Sequence, residues 1–294
     1  MGKANLNNTA YEERLGTDRM LPLVLRMAMP SVAAQIVNLL YNLVDRIYIG
    51  HIPGIGTDAL AGIGVTGAII ILISAFSAIV SGGGAPLAAI ALGQGDRKRA
   101  GQTLGNGFVL LLIFTLLTTT LTYLFMEPLL MFTGASENTV GYAKDYLSIY
   151  LLGTLFVETS VGLNTFINTQ GRPAIAMYSV LIGAVLNIIL DPIFIFVMGM
   201  GVRGAALATV ISQACSALWI VSFLTSKRAS LRLEFRYMRP DRNVISHILA
   251  LGVSPFIMAS TESLVGFVLN SSLEKFGDIN VSALAIMQSA MLVV

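Results

Sequence analysis

The stretch AMPSVAAQIVNLLYNLVD, residues 28–45, is a long apolar run that contains a proline and ends on an aspartate. A weaker copy, VSPFIMASTESLVGFVLN, occupies residues 253–270, with its proline in the matching place. Downstream of each copy, DALAGIGVTG (58–67) aligns with SALAIMQSAM (282–291). Repeats of whole membrane segments are typical of two-lobed transporters, whereas channels and membrane enzymes have less need of them. The pattern therefore predicts a membrane transporter built from two similar lobes.

The composition of the whole chain is that of a membrane protein. Of its 294 residues, 55% are hydrophobic and 12% are charged, whereas soluble domains have about 25% charged residues. Its mean hydropathy is +0.78. A net charge of +2 gives no reason to expect nucleic acid binding. The single cysteine, Cys215, excludes a disulfide framework, and the polar N-terminus lacks the apolar core of a secretory signal peptide.

Seven apolar segments reach the roughly 20 residues that a bilayer crossing requires, and an eighth begins near residue 280. If the long second segment crosses once, fourteen of the 18 Lys and Arg residues fall on the side of the N-terminus. Because positively charged loops face the cytoplasm, we predict a single crossing, with no reversal at SGGGAP (81–86), and a cytoplasmic N-terminus. The predicted spans are 22–49, 58–95, 104–126, 138–168, 174–199, 204–226 and 246–273.

These spans divide the chain into four predicted regions. The longest polar interruption, SKRASLRLEFRYMRPDRN (226–243), separates six spans from the rest and is interpreted as a cytoplasmic linker. The eighth segment, VSALAIMQSAMLVV, stops after 14 residues without a flanking charge. We therefore expect the natural protein to continue, and we do not expect this length alone to transport. The regions are a tail, a six-helix lobe, a linker and the start of a second lobe, at residues 1–20, 21–226, 227–245 and 246–294.

Four of the acidic residues within the predicted spans are candidates for a role inside the membrane. A charged side chain at the centre of a membrane helix costs about 2.5–3.5 kcal/mol on insertion scales, so such residues bind ions, carry protons or join two helices. Asp191 has the strongest context, because Asn187 shares its helix face and Pro192 deprives the Ile188 carbonyl of its helical partner. Oxygens so clustered suit a sodium ion or a proton. The four acidic residues are Asp45, Glu158, Asp191 and Glu262.

Polar side chains also define one face of two predicted helices. Residues spaced by three and four share a helix face, and a polar face should line the lobe interior or a wet cavity rather than lipid. In the fourth span, Asn164 and Asn168 either contact substrate or bond to a neighbouring helix. The stripe in the first span consists of Asn38, Tyr41, Asp45 and Tyr48.

Several ordered motifs carry a family resemblance. They are PSVAAQIVNLLYNLVDRIYIGHI in the first span, DALAGIGVTG and SGGGAPLAAIALGQGD in the second, NTQGRP before the fifth and LNIILDP within it. From about residue 20 to the end, the chain resembles the bacterial multidrug and toxic compound extrusion (MATE) transporters. It is most similar to the multidrug-export branch that carries an aspartate in both the first and the fifth span.

The resemblance implies an all-α polytopic membrane protein, with a MATE-like six-helix N-terminal lobe and the first two helices of a second, parallel-repeat lobe. It also implies a monomeric antiporter, not an enzyme, in the bacterial cytoplasmic membrane. Such an antiporter exports organic cations and amphipathic drugs by alternating access in exchange for Na⁺ or H⁺, and it needs no cofactor besides that ion. The implied ion ligands are Asp45, Asn187, Asp191 and Thr209. The candidate substrate-cavity residues are Asn38, Tyr41, Asn164, Asn168, Glu158 and Glu262.

Three other functions are weighed against this one. A lipid-linked saccharide flippase of the same superfold should hold a strongly basic central cavity, and the predicted spans place no lysine or arginine near mid-depth. A membrane-embedded prenyltransferase needs paired aspartate-rich motifs at the membrane edge, and Asp191 has no carboxylate neighbour in sequence. A structural or channel-like protein is the third alternative, and substrate-dependent ion flux would exclude it.

Overall fold

The computed structural model describes residues 20–291, and these form helices and connecting turns with no strand among them. Apart from Met20, the predicted tail lies outside the described residues. The helices are α1 (Met20–Gly50), α2 (Gly56–Ile79), α3 (Ala85–Gly93), α4 (Arg97–Leu124), α5 (Met126–Phe132), α6 (Val140–Asn168), α7 (Pro173–Pro192), α8 (Val202–Thr225), α9 (Arg242–Glu274) and α10 (Asp278–Met291).

Within the described residues, seven helical segments are long and apolar enough to cross a membrane, in agreement with the predicted spans. The second of them, Gly56–Gly93, is one segment of 38 residues. A π-helical turn, Val80–Gly84, joins α2 to α3 there, so the chain does not reverse direction at the glycines. Large apolar side chains on the outside, such as Leu116 and Leu152, are 71% and 78% exposed. An apolar exterior of this kind suits contact with lipid rather than water.

Glycines in the π-helical turn bring α9 against α2. A Cβ atom on Gly83 would lie 2.1 Å from the carbonyl oxygen of Ile248, and a Cβ atom on Gly252 would lie 2.4 Å from the carbonyl oxygen of Ile79. Neither distance leaves room for a side chain, so the two backbones touch. This close approach fixes the position of α9 against the first six spans.

The two copies of the repeat form matching helix pairs. The first pair is α1 with α2 and the second is α9 with α10, and both α1 and α9 contain an internal proline. The pairs meet along α2, where Ser282 Oγ donates to the Thr57 carbonyl at 2.8 Å and Ser263 Oγ donates to the Ala68 carbonyl at 2.7 Å. Chain order and packing thus both support the repeat that the sequence predicts.

Two helices begin earlier than their apolar segments predict, at Arg97 rather than 104 and at Arg242 rather than 246. In each case an aspartate precedes the helix and caps it. Asp96 Oδ1 accepts from the Arg99 amide and Asp241 Oδ1 accepts from the Asn243 amide, both at 2.9 Å. Polar first turns, stabilised by their caps, extend beyond the hydrophobic stretch, so the linker ends before residue 242.

The linker between α8 and α9 is fastened to the helices beneath it. The buried Asn106 of α4 accepts from the Asp241 amide at 2.8 Å and donates to the Tyr237 carbonyl at 3.2 Å. Gln170 accepts from the Leu231 amide at 3.0 Å. Gly105 lets the linker approach α4, because a Cβ atom there would lie 2.3 Å from the Tyr237 carbonyl oxygen. These contacts hold the linker against the helices, and we call this fastened segment, residues 226–241, the strap.

Candidate functional site

Two carboxyl groups from separate helices meet inside the bundle. Asp45 of α1 and Asp191 of α7 lie within hydrogen-bonding reach of each other, and α1 packs along α7. Asp191 is fully buried. Asp45 Oδ1 and Asp191 Oδ2 are both buried, and no N–H or O–H donor among the described residues reaches either atom. Two ionised carboxylates repel each other at this range, so an arrangement of this kind can hold a proton or a cation.

Asn187 and Thr209 complete an oxygen cluster around this pair. Asn187 Nδ2 donates to Asp191 Oδ1 at 3.2 Å and to Thr209 Oγ1, on α8, at 3.5 Å. These bonds leave Asn187 Oδ1, which is buried and receives no hydrogen bond from the described residues. Carboxylate, amide and hydroxyl oxygens are ligands that hard cations prefer. The structure therefore brings together all four residues of the predicted coupling set, on three helices.

Pro192 places Asp191 at a change in helix geometry. α7 does not break at this proline but continues into a five-residue π-helical turn, Ile193–Val197. Single π-helical turns inside α-helices are frequent at functional sites, because they re-aim side chains and loosen the regular backbone ladder. The carboxylate thus sits on the last regular turn before the altered segment.

Tyrosines form part of the wall of the site. The Tyr146 side chain is within hydrogen-bonding reach of Thr209, and its ring stacks on Tyr150 with centroids 6.1 Å apart. Tyr41, one turn before Asp45 on α1, reaches the side chain of Gln213 on α8. Tyr41 is among the predicted residues, whereas Tyr146, Tyr150 and Gln213 are not, because their helices meet α1 and α7 only in the folded chain.

Arg46, which is not among the predicted site residues, also lies near the pair. Its side chain is half-buried, close to Asp45 and Tyr146. Its Nη1 atom is buried and has no hydrogen-bond partner among the described residues. It lines a cavity of about 400 Å³ between α1, α2 and α10, together with His51, Thr57 and Ser282. The guanidinium group of Arg46 is therefore a positive charge close to Asp45.

The remaining candidate cavity residues lie apart from the pair. Glu158 is buried on α6 and accepts from Ser74 Oγ at 2.8 Å and from Ser77 Oγ, so α2 donors occupy both carboxylate oxygens. Asn164 donates to the Ala176 carbonyl at 3.0 Å and to Ser179 Oγ at 2.8 Å, both on α7. The contacts of both residues join neighbouring helices, which is one of the roles considered for each of them.

The other three predicted cavity residues do not make hydrogen bonds between helices through their side chains in the way that Glu158 and Asn164 do. Asn168 Oδ1 is buried without a partner among the described residues. Asn38 is half-buried, and its backbone carbonyl accepts from Asn42 Nδ2 at 2.7 Å. Glu262 is exposed on α9. The described residues contain no group of three or more His, Cys, Asp or Glu side chains that could hold a metal ion.

The fold that positions these residues has counterparts among known proteins. The MatE family model matches residues 30–193, which include the whole of α2 to α7, most of α1 and both aspartates. The chain belongs to the MatE family. Among solved structures, this MATE chain is similar to the MATE multidrug transporter DinF-BH, which was solved in complex with a small molecule, with a TM-score of 0.90 and 32% identity. The alignment covers 95% of this chain and 63% of DinF-BH.

Other relatives agree with this assignment. An inward-facing multidrug resistance MATE family transporter of the MOP superfamily has a TM-score of 0.79 and 28% identity over 92% of this chain and 60% of its own. The multidrug export protein MepA of Staphylococcus haemolyticus (strain JCSC1435) is 26% identical over 90% of this chain. MepA of Staphylococcus aureus (strain MSSA476) is 24% identical over the same share. The chain spans 58% of the length of each MepA protein.

Proposed function

We propose that this protein exports organic cations and other amphipathic compounds in exchange for H⁺ or Na⁺. The observation that carries the proposal is the contact between Asp45 and Asp191, with three buried oxygens that receive no hydrogen bond from the described residues. A site with unfilled negative charge inside a membrane bundle attracts either a small cation or a cationic drug. The names of the relatives, which are multidrug exporters and a multidrug transporter with a bound small molecule, support the same function.

Exchange follows if the ion and the drug compete for this site. A ligand shifts a two-state equilibrium only through unequal affinity for the two states. The site lies between α1 and α7, so an ion that bridges Asp45 to Asp191 favours the state in which these helices are closely packed. A bulky drug favours a state in which α1 has moved away from α7. Alternating occupancy would then drive alternating access.

The strap supports one orientation of the protein in the membrane. The loop that precedes α4 and the linker between α8 and α9 carry Arg97, Lys98, Arg99 and a further group of basic residues. Asn106 and Gly105 bring both segments to the same end of the bundle. A basic end of this kind faces the cytoplasm. We therefore place the N-terminus in the cytoplasm, the six-helix lobe at 21–226, and the second lobe from α9 onward.

The experiment uses the natural protein at its full length in everted membrane vesicles. A fluorescent organic cation is added under a sodium gradient alone or a proton gradient alone, and its uptake is followed. We expect uptake under one of the two gradients, which names the ion. Asp191→Asn should abolish this uptake, because one of the two carboxylates of the ion site is lost.

A matched control distinguishes the effect of losing a carboxylate of the site from the effect of losing any acidic charge. Asp145→Asn removes a carboxylate from a largely exposed ion pair with Arg203, where the two atoms are 2.8 Å apart. This variant should transport like the wild type. If Asp191→Asn transports normally, the pair is a structural contact and the coupling role is wrong. If no cation in a panel is taken up by the wild type, the export function itself is wrong.

A further inference from the structure

Three basic side chains lie together where α8 ends and the strap begins. Lys227 and Arg228 follow the last residue of α8, Thr225, and are exposed. Arg232 lies beside them, because its Nη2 atom donates to the Lys227 carbonyl at 3.1 Å. No carboxylate among the described residues lies within ion-pair distance of these three side chains. We call Lys227, Arg228 and Arg232 the basic cluster.

The buried part of the strap holds this cluster in place. Leu231 and Leu233, on either side of Arg232, are 2% and 8% exposed and belong to the core beneath. The Leu231 amide donates to Gln170 at 3.0 Å, and the Leu233 amide donates to the Leu224 carbonyl at 2.9 Å. The backbone is therefore fastened on both sides of Arg232. A fixed base of this kind lowers the entropy that is lost when a ligand binds.

The described acidic residues at this end of the bundle have other partners. Asp96 and Asp241 cap the first turns of α4 and α9. Glu234 Oε2 lies 2.6 Å from Arg236 Nε, and the same guanidinium lies 4.5 Å from the centroid of the Tyr237 ring. The strap thus neutralises the charge of Arg236 but leaves the three positive charges of the basic cluster for a ligand.

Aromatic side chains on α7 and α8 mark the level of the lipid headgroups. The rings of Trp219 and Tyr178 meet edge to face, with centroids 6.5 Å apart, and both side chains are partly exposed. The indole N–H of Trp219 donates to the Ile175 carbonyl at 3.3 Å. Tryptophan and tyrosine gather at the boundary between lipid and water. The end of α8 at Thr225 lies six residues, or roughly 9 Å, beyond Trp219, so long basic side chains there can extend to the headgroup layer.

We propose that the basic cluster binds the headgroup of an anionic phospholipid whose acyl chains lie along α7 and α8. A phosphate accepts charge-assisted hydrogen bonds from the ammonium group and from the two arginine forks. Exposed apolar side chains on the same two helices, such as Leu218 and Val185, offer a surface for the acyl chains. Basic residues directly after a membrane span are typical of anionic-lipid binding. A soluble anion would use only the charges, whereas a lipid uses both features, so the lipid is the occupant.

The expected strength follows from the number of charges. Each basic residue near the surface of an anionic membrane strengthens binding about fivefold. Three such residues should make an anionic lipid bind on the order of 100-fold more tightly than a zwitterionic lipid with the same acyl chains. Arg232→Gln should weaken binding of the anionic lipid about fivefold and leave that of the zwitterionic lipid unchanged.

The experiment compares phosphatidylglycerol with phosphatidylcholine of identical acyl chains, so that only the headgroup differs. Their dissociation constants are measured by native mass spectrometry on the purified full-length protein in a neutral detergent. The variants are Arg232→Gln and the triple variant that replaces all three residues of the basic cluster by glutamine. Arg236→Gln is the matched control, because it removes a positive charge that the same strap already pairs with Glu234. We expect a strong phosphatidylglycerol preference in the wild type and in Arg236→Gln, a weaker one in Arg232→Gln, and none in the triple variant.

Three results would overturn the proposal. Equal dissociation constants of the two lipids for the wild type contradict it without any variant, so the test stands even if the triple variant does not fold. Equal weakening by Arg232→Gln and Arg236→Gln would mean that net charge acts and that no site exists. Glycerol phosphate, the headgroup part alone, should not displace the lipid, and if it does, the occupant is a free anion. Lipid binding is measured without transport, so all these results are independent of the proposed export function.

Discussion

Replacing Gly83 by alanine should separate α9 from α2. A Cβ atom at this position would lie 2.1 Å from the Ile248 carbonyl oxygen and 2.8 Å from the Gly252 amide nitrogen. Carbon and carbonyl oxygen approach no closer than about 3.3 Å in favourable contacts, so the two helices would have to move apart by about 1.2 Å. Both neighbouring atoms are backbone, which cannot rotate away.

The energetic cost of this separation can be bounded. Overpacking of a well-filled interior costs about 1–3 kcal/mol, and a clash between two backbones belongs at the upper end. Alanine in a helix gains about 0.5–1 kcal/mol over glycine through backbone entropy, which offsets part of the loss. The net destabilisation should be about 2 kcal/mol. It should fall on the contact between the first six spans and α9.

The assay is thermal stability in detergent, read from the loss of the monodisperse peak in size-exclusion chromatography. Gly67→Ala is the matched control, because Gly67 also lies in α2 and a Cβ atom there would meet nothing within 4 Å. The Gly83→Ala protein should melt below the wild type, whereas the Gly67→Ala protein should melt at or above it. If both variants melt together, the tight backbone contact does not stabilise the fold, and the packing described for the π-helical turn is wrong.

Three further substitutions test other contacts. Asn106→Ala should destabilise the protein by about 2–4 kcal/mol, because two backbone groups of the strap lose their partner, and limited proteolysis should then cut the linker faster. Ser77→Ala should cost about 1–3 kcal/mol by removing one of the two donors to Glu158. The Ser77→Ala, Glu158→Gln double variant should lose less stability than the two single variants lose together. Strict additivity in this double-mutant cycle would contradict the hydrogen bond between Ser77 and Glu158. Asn187→Ala should raise the ion concentration needed for half-maximal transport about tenfold, at a loss of about 1.4 kcal/mol, whereas unchanged ion dependence would exclude Asn187 from the ligand set.

Much of the fold could be predicted from local sequence, because a bilayer imposes a length and a polarity on every span. The apolar segments located each crossing, and the charge difference between loops favoured a single crossing at Gly56–Gly93, which the continuous helix confirms. The starts of α4 and α9 were predicted late. Their first turns are polar and depend on the capping aspartates Asp96 and Asp241, which hydropathy does not weigh.

The site could be predicted in part. Asn187 and Asp191 share a helix face at a spacing of four, and this relation is local. The contact between Asp191 and Asp45 joins residues far apart in the chain, and the family resemblance rather than any local pattern implied it. Arg46 was not predicted, since its position near a helix end does not fix the direction in which its side chain turns. Tertiary packing alone decides that direction.

The strap over α4 has a mechanical consequence for any movement of the second helix pair. Because Asn106 holds the backbone of Tyr237 and Asp241, the chain is anchored up to the residue before α9, and any rotation of α9 about Arg242 would first have to open its close backbone contact with Gly83. The 33 residues of α9 make a lever arm of about 50 Å. A swing of about 10° at this fulcrum would carry the far end of α9 through about 9 Å, a distance similar to the width of one helix. A small rotation at this anchor is thus amplified into a large displacement at the opposite end of α9.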